Sequence, residues 1–231
     1  MALSAQQFPA TKGPDELMIK YLIDASVALE FYRPKPSFST EQAYIHSRNL
    51  RRFLTMQKEN EKAIFFIPSF CIAEVRNTLA RWLHREKNIF RSQEHYKAVF
   101  HTFISHVHDR KFFYSHDLNR YHNLNTTEVT EVEHTTETEF DATGLPIGTD
   151  VRTINAKLQE KDPYDHVGKY YLSTFDILII AMGMELKKTH GEEIHLLTRD
   201  KRLYLICSKK PNVFPKSYYW DRMRISDLPK A

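Results

Sequence analysis

Four carboxylates in this chain of 231 residues stand where carboxylates do chemistry. Tyr21-Leu22-Ile23-Asp24-Ala25-Ser26 reads as an apolar strand that ends on an acid. Ile194-His195-Leu196-Leu197 leads the same way into Thr198-Arg199-Asp200. Glu74 and Asp176 lie in helix-like segments beside apolar residues. In open α/β sheets, ligands bind outside the carboxyl ends of parallel strands. Acids gathered there raise one another's pKa unless a cation neutralises them. Mg²⁺ and Mn²⁺ take oxygen ligands, keep several waters and bridge to phosphate oxygens. One or two such ions can activate water and stabilise the charge that develops in an in-line phosphoryl displacement.

Each acid also has a plain structural reading. Ser173-Thr174-Phe175-Asp176 has the spacing of a capping box. Asp200 can begin a turn or a helix, and Glu74 can be a solvated helix charge. Asp24 resists such a reading, because it follows an unbroken apolar run and precedes a short helix. The joint placement decides the matter: two acids end separate strands, and two lie in the first turns of helices that would pack beside them.

The elements that must position these acids alternate. Residues 1–17 carry Pro9, Gly13 and Pro14 without periodicity and read as a loose arm ahead of a single domain over 18–231. Met18–Ile23 is the first strand, followed by a short helix through Val27–Phe31 that Pro34 and Pro36 stop. Ser39-Thr40-Glu41-Gln42 fits a capping box with Ser39 as cap, opening a helix to about Lys62. Ala63–Ile67 is a second strand, and Ser69 is placed to cap the helix carrying Ile72, Val75, Leu79 and Leu83 at helical spacing. A helix over 92–108 and a strand over 111–114 follow. Residues 118–163 are rich in Thr and Glu and alternate at Thr127–Glu133, which predicts an acidic hairpin or loop inserted in the series. A largely apolar helix from Ser173 ends at Gly191; Ile194–Leu197 is the fourth strand, and an edge strand falls within 212–225. Strands separated by helices imply a mostly parallel sheet with helices on both faces, an α/β three-layer sandwich.

Composition supports a real core, with 42% hydrophobic and 13% aromatic residues. Net charge is +4, but Tyr121–Val151 holds seven acids and no Lys or Arg. Without those seven, 22 of the 29 acids remain against 33 bases, a balance of +11 that suits a polyanionic partner. Folded over the basic face, the acidic segment would mimic a nucleic-acid backbone. Cys71 and Cys207 lack metal-ligand spacing and read as buried, reduced thiols of a cytoplasmic protein. No run is long and apolar enough for a membrane span. Among the histidines, His101, His106, His108 and His116 invite a zinc reading, but two residues two apart on a helix point different ways and no Cys joins them.

The four acidic motifs resemble, in order, those of the PIN-domain family of metal-dependent nucleases. The matching stretches are Leu22-Ile23-Asp24-Ala25-Ser26, Ile72-Ala73-Glu74-Val75-Arg76-Asn77, Ser173 to Ala181, and Leu196 to Leu203. The resemblance covers about residues 18–117 and 164–225. It implies Mg²⁺ or Mn²⁺ held by Asp24, Asp176 and Asp200, with Glu74 at the metal or its water. Ser26, Asn77 and Thr198 are the implied supporting groups. It implies endonucleolytic cleavage of RNA, and VapC-like toxins among the relatives add a small antitoxin-like partner and a homodimer as expectations. Arg76, Arg81, Arg199, Lys201 and Arg202 are the candidate phosphate contacts. Two rivals stand beside this reading. One is a non-catalytic RNA- or protein-binding module on the same fold. The other is a phosphatase with Asp24 as nucleophile, which usually wants a second acid where this chain has Ser26.

Overall fold

The computed structural model describes residues 18–35, 40–85, 89–136 and 172–220. The predicted N-terminal arm lies outside them, as does the acidic stretch beyond Thr136.

The sheet is built from apolar runs too rich in buried residues to show alternation, as expected of strands covered on both faces. β1 (Ile19–Ile23) ends on Tyr21, Leu22 and Ile23, and β2 (Ala63–Pro68) buries all but Ile64. β3 (Phe113–His116), β4 (Ile194–Thr198) and β5 (Lys216–Tyr219) complete five parallel strands in the order β3-β2-β1-β4-β5. Register aligns the carboxyl ends: Leu22 pairs with Phe66 on one side and Leu196 on the other, and Ile23 pairs with Leu197. Tyr218 and Trp220 are buried in and just beyond the edge strand, so they pack on the core.

Seven helices connect the strands among the described residues. α1 (Ala25–Tyr32) stops at Arg33, whose backbone is extended ahead of Pro34. α2 (Glu41–Glu59) is capped by Thr40, whose hydroxyl accepts from Ala43 N at 3.1 Å. The cap falls one residue after the Ser39 expected from the sequence. α3 (Ser69–His84) has Pro68 at its cap position without a side-chain bond, so Ser69 is the first helical residue and not the cap. α4 (Gln93–His108) is capped by Ser92. α1 to α4 pack in a chain of neighbours, and the three remaining helices, α5 (Arg120–Thr135), α6 (Thr174–His190) and α7 (Lys201–Lys209), pack on one another. The result is three layers, with the sheet between two helical sets.

The predicted acidic hairpin is corrected at 120–135, which is the helix α5. Asn119 and His122 close a reciprocal capping box at its start. His122, Val129, Val132 and Glu133 are buried, a helical and not a two-residue period. Packing decided against the β-branched alternation, because one apolar stripe fits along α6. The acids here do not form a flap: Glu133 is buried on Arg202 at 3.0 Å, and Glu128 pairs with Lys210 at 3.1 Å.

α6 is buried from Ile179 to Met184 and again at Leu186, each apolar side chain contributing about 1.5–3 kcal/mol. Gly183 lies under Pro215, where an added Cβ would come 2.7 Å from the ring Cγ. Gly191 ends the helix with φ 64°, a left-handed conformation that glycine adopts without strain. Among the described residues, no helix is long and apolar enough to cross a membrane.

Candidate active site

The chain leaves β1 for β2 and β3 on one side, then returns past β1 to β4 and β5 on the other. β1 and β4 therefore flank the topological switch point, where a crevice opens outside their carboxyl ends. A cleft of about 260 Å³ lies there, and Asp24, Glu74, Asp176 and Asp200 all line it.

Asp24 follows β1, and its N–H extends the ladder to Leu197 O at 3.1 Å. It occupies the N-cap of α1 without making a side-chain cap bond, which leaves its carboxylate for other partners. Ser26 Oγ donates to Asp24 Oδ2, and Thr198 Oγ1 donates to the same oxygen at 2.9 Å. Both hydroxyls are oriented from behind. Arg199 N donates to Ser26 Oγ at 3.1 Å, and Asp200 N donates to Thr198 Oγ1 at 2.9 Å. The loop after β4 thus holds the acid after β1. Arg199 also grips α1, donating to the buried Glu30 Oε2 at 2.8 Å.

Asp176 fulfils both of its sequence readings. It closes a capping box with Ser173, whose N and Oγ donate to Oδ2 at 2.9 and 2.6 Å, and it also lines the cleft. Asp200 caps α7 through Oδ1, which accepts from Leu203 N at 2.8 Å. Among the described residues, each of these three aspartates bonds the protein through one oxygen, leaving the other for a ligand. Glu74 stands exposed in the second turn of α3.

The electrostatics are those of crowded carboxylates. Burial raises Asp24 to about 6, helped by the charges of Asp200 and Glu74 and opposed by the bonds from Ser26 and Thr198. Burial, then Asp200 and Asp24, raise Asp176 to about 7 against the bonds from Ser173. Glu74 is raised by burial and by Asp176, with Arg81 opposing. Among the described residues, no basic side chain lines the cleft. Hard oxygen donors gathered in one cleft are the donor type that a divalent cation takes. Among the described residues, no group of three or more His, Cys, Asp or Glu side chains is placed to hold a metal ion as the side chains stand.

The supporting residues divide. Ser26 lines the cleft, Thr198 is fully buried behind Asp24, and Asn77 is exposed on α3 and does not line it. Among the candidate phosphate contacts, Arg202 is held by Glu133, and Arg199 by Glu30. Lys201 lies over the Tyr219 ring and Arg76 over Phe100, while Arg81 is exposed. The four histidines are dispersed: His106 Nδ1 pairs with Tyr32 at 2.8 Å, His116 packs on His122, and His101 and His108 are exposed.

Sequence reasoning missed Phe70, Cys71, Phe175 and Ile179, which also line the cleft. The signal was local: Phe70 precedes Glu74 by four residues on one helix, and Phe175 adjoins Asp176. It missed Glu30 altogether, since nothing in the chain pairs residue 30 with residue 199.

No family model matches the chain, and no curated protein matches it. Among solved structures, VapBC2 from Rickettsia felis bound to a DNA fragment from their promoter matches over 86% of this chain and 98% of that chain. Identity is 12% and the TM-score 0.43. At that distance the likeness adds nothing to what the residues themselves carry.

Proposed function

We propose that the chain is a metal-dependent endoribonuclease, hydrolysing RNA phosphodiester bonds at the cleft of four carboxylates. The observation that carries this reading is that Asp24, Glu74, Asp176 and Asp200, drawn from separate elements, line one cleft at the strand switch point. The +11 balance outside the acidic segment favours a polyanionic substrate. RNA as that substrate follows from the resemblance noted in the sequence.

Asp24, Asp176 and Asp200 would hold Mg²⁺ or Mn²⁺ through their outward oxygens. When bound, the cation neutralises the acids, lowers the pKa of water and stabilises the charge on the phosphoryl oxygens. Ser26 and Thr198 keep Asp24 Oδ2 engaged, which leaves its other oxygen for the cation. Ser173 does the same for Asp176. Glu74, exposed and with its pKa raised, is placed to take a proton from the attacking water onto its carboxylate. Water oxygen bonds to phosphorus, one ester P–O bond breaks, and the leaving oxygen takes a proton from solvent.

Incubation with single-stranded RNA, structured RNA and DNA, each with Mn²⁺ or with EDTA, tests this. Cleavage of RNA that EDTA abolishes and that Asp24→Asn lowers by at least about 100-fold is the expected result. A folded protein that binds RNA in Mn²⁺ without cutting it would replace the reading with a binding module.

A further inference from the structure

Phe175 is 54% exposed, on a cleft whose other apolar residues are buried or, at Phe70, half-buried. One face of its ring is covered by Phe70, with centroids 5.4 Å apart and planes 12° from parallel. Phe70 is the second residue of α3, four before Glu74, and Phe175 is the second of α6, immediately before Asp176. The stacked pair therefore bridges the starts of the two helices that carry those acids. Phe70 is half-buried against the core and fixes the inner ring. The outer ring of Phe175 presents a flat apolar surface on the same cleft as the carboxylates. Single exposed apolar side chains are ordinary on a protein surface; what marks Phe175 is its place on the cleft, stacked on Phe70.

We propose that the Phe70–Phe175 pair is a stacking platform for one unpaired nucleobase flanking the phosphate held at the carboxylates. This rests on the nuclease reading and narrows it to single-stranded substrate. A base inside a duplex has both faces covered by its neighbours, whereas an unpaired base can lie flat on an aromatic ring. Every base has such a face, so the platform selects strandedness more than sequence. The acids themselves repel a polyanion until a cation is bound, so stacking supplies adhesion that the cleft otherwise lacks.

The test measures binding in Ca²⁺ and cleavage in Mn²⁺ on a short single-stranded RNA, on its duplex, and on copies carrying one abasic position at each site in turn. Phe175→Ala, Phe175→Trp and Asp24→Asn are compared with wild type, with circular dichroism confirming the fold of each. Phe175→Ala is expected to weaken binding of the intact strand about tenfold, with Trp restoring it. Against the RNA that is abasic at the platform position, wild type and Phe175→Ala should bind alike. Equal binding of the intact strand by both would overturn the platform. So would a loss in Phe175→Ala that is the same size whichever base is missing. Loss of cleavage in Asp24→Asn with no effect of Phe175→Ala would sink the platform alone. Absence of cleavage and binding in wild type would sink both readings.

Discussion

Thr198 Oγ1 donates a hydrogen bond of 2.9 Å to Asp24 Oδ2 across the seam between β4 and β1. The same hydroxyl accepts from Asp200 N at 2.9 Å, so one fully buried side chain ties two of the four acids together. Valine keeps the shape of threonine and removes both bonds. Thr198→Val is therefore expected to lower Mn²⁺ affinity and cleavage by about 10–100-fold, the usual effect of losing a group that orients a metal ligand. Thr198→Ser, which retains the hydroxyl, should stay close to wild type. Titration of Mn²⁺ into each variant checks this, and an unchanged affinity in the valine variant would remove Thr198 from the site.

The burial of Asp24 beside other acids has a stability signature in the metal-free protein. Asp24 is raised to about 6 from 3.8, so between those pH values the folded chain binds more protons than the unfolded one. Its stabilising contribution is present below 3.8 and is lost as pH rises through 6. Asp24→Asn lacks this loss while still offering an oxygen to Ser26 and Thr198. In EDTA, its unfolding free energy relative to wild type should rise by on the order of 3 kcal/mol across that window, with a smaller further change until Asp176, which Asp24 helps to raise, has titrated near 7. Half-buried histidines such as His116, lowered to about 4, act in the opposite sense but equally in both proteins. Urea unfolding at a series of pH values measures the difference, and Mn²⁺ at pH 8 should narrow it. A difference independent of pH would show that the fold does not raise the Asp24 carboxyl.

The entry to α6 depends on a charge carried by α5. Glu133 is 1% exposed, accepts from Arg202 Nε at 3.0 Å and from Leu172 N at 2.9 Å, and so fixes the chain just before Ser173. Glu133→Ala leaves Arg202 without its counter-charge and should cost about 3–5 kcal/mol. In a domain of this size that lowers the melting temperature by roughly 10 °C. A solvated charge on a surface hairpin would change stability by only about 0.5 kcal/mol, so calorimetry separates the two.

The elements that hold the acids were legible because their signals are local. Tyr21-Leu22-Ile23 before Asp24, and Ile194, Leu196 and Leu197 before Asp200, are the short apolar runs that buried strands use. Asp176 was legible twice over, since Ser173 three residues earlier marks a helix start whatever else the acid does. What failed to show was decided at long range. Thr127, Val129, Thr130 and Val132 are β-formers at strand-like spacing. They became helical because His122, Val129 and Val132 share the stripe that α6 covers and because Glu133 reaches Arg202. Neither partner is near in sequence. Arg202 and Arg199 looked like phosphate contacts for the same reason, since the acids that engage them lie 69 and 169 residues away. The cap at Thr40 instead of Ser39 turned on one residue of register, which capping spacing alone does not resolve.

The central claim is that the acids act as one centre, and groups that act as a unit are not additive. Single-turnover cleavage of single-stranded RNA in Mn²⁺ by wild type, Asp24→Asn, Asp176→Asn and the double variant measures this directly. Each single variant should lose about 100-fold or more, and the double variant should be no slower than the worse single. Near-wild-type cleavage by either single variant, or losses that multiply in the double, would contradict a shared hydrolytic centre.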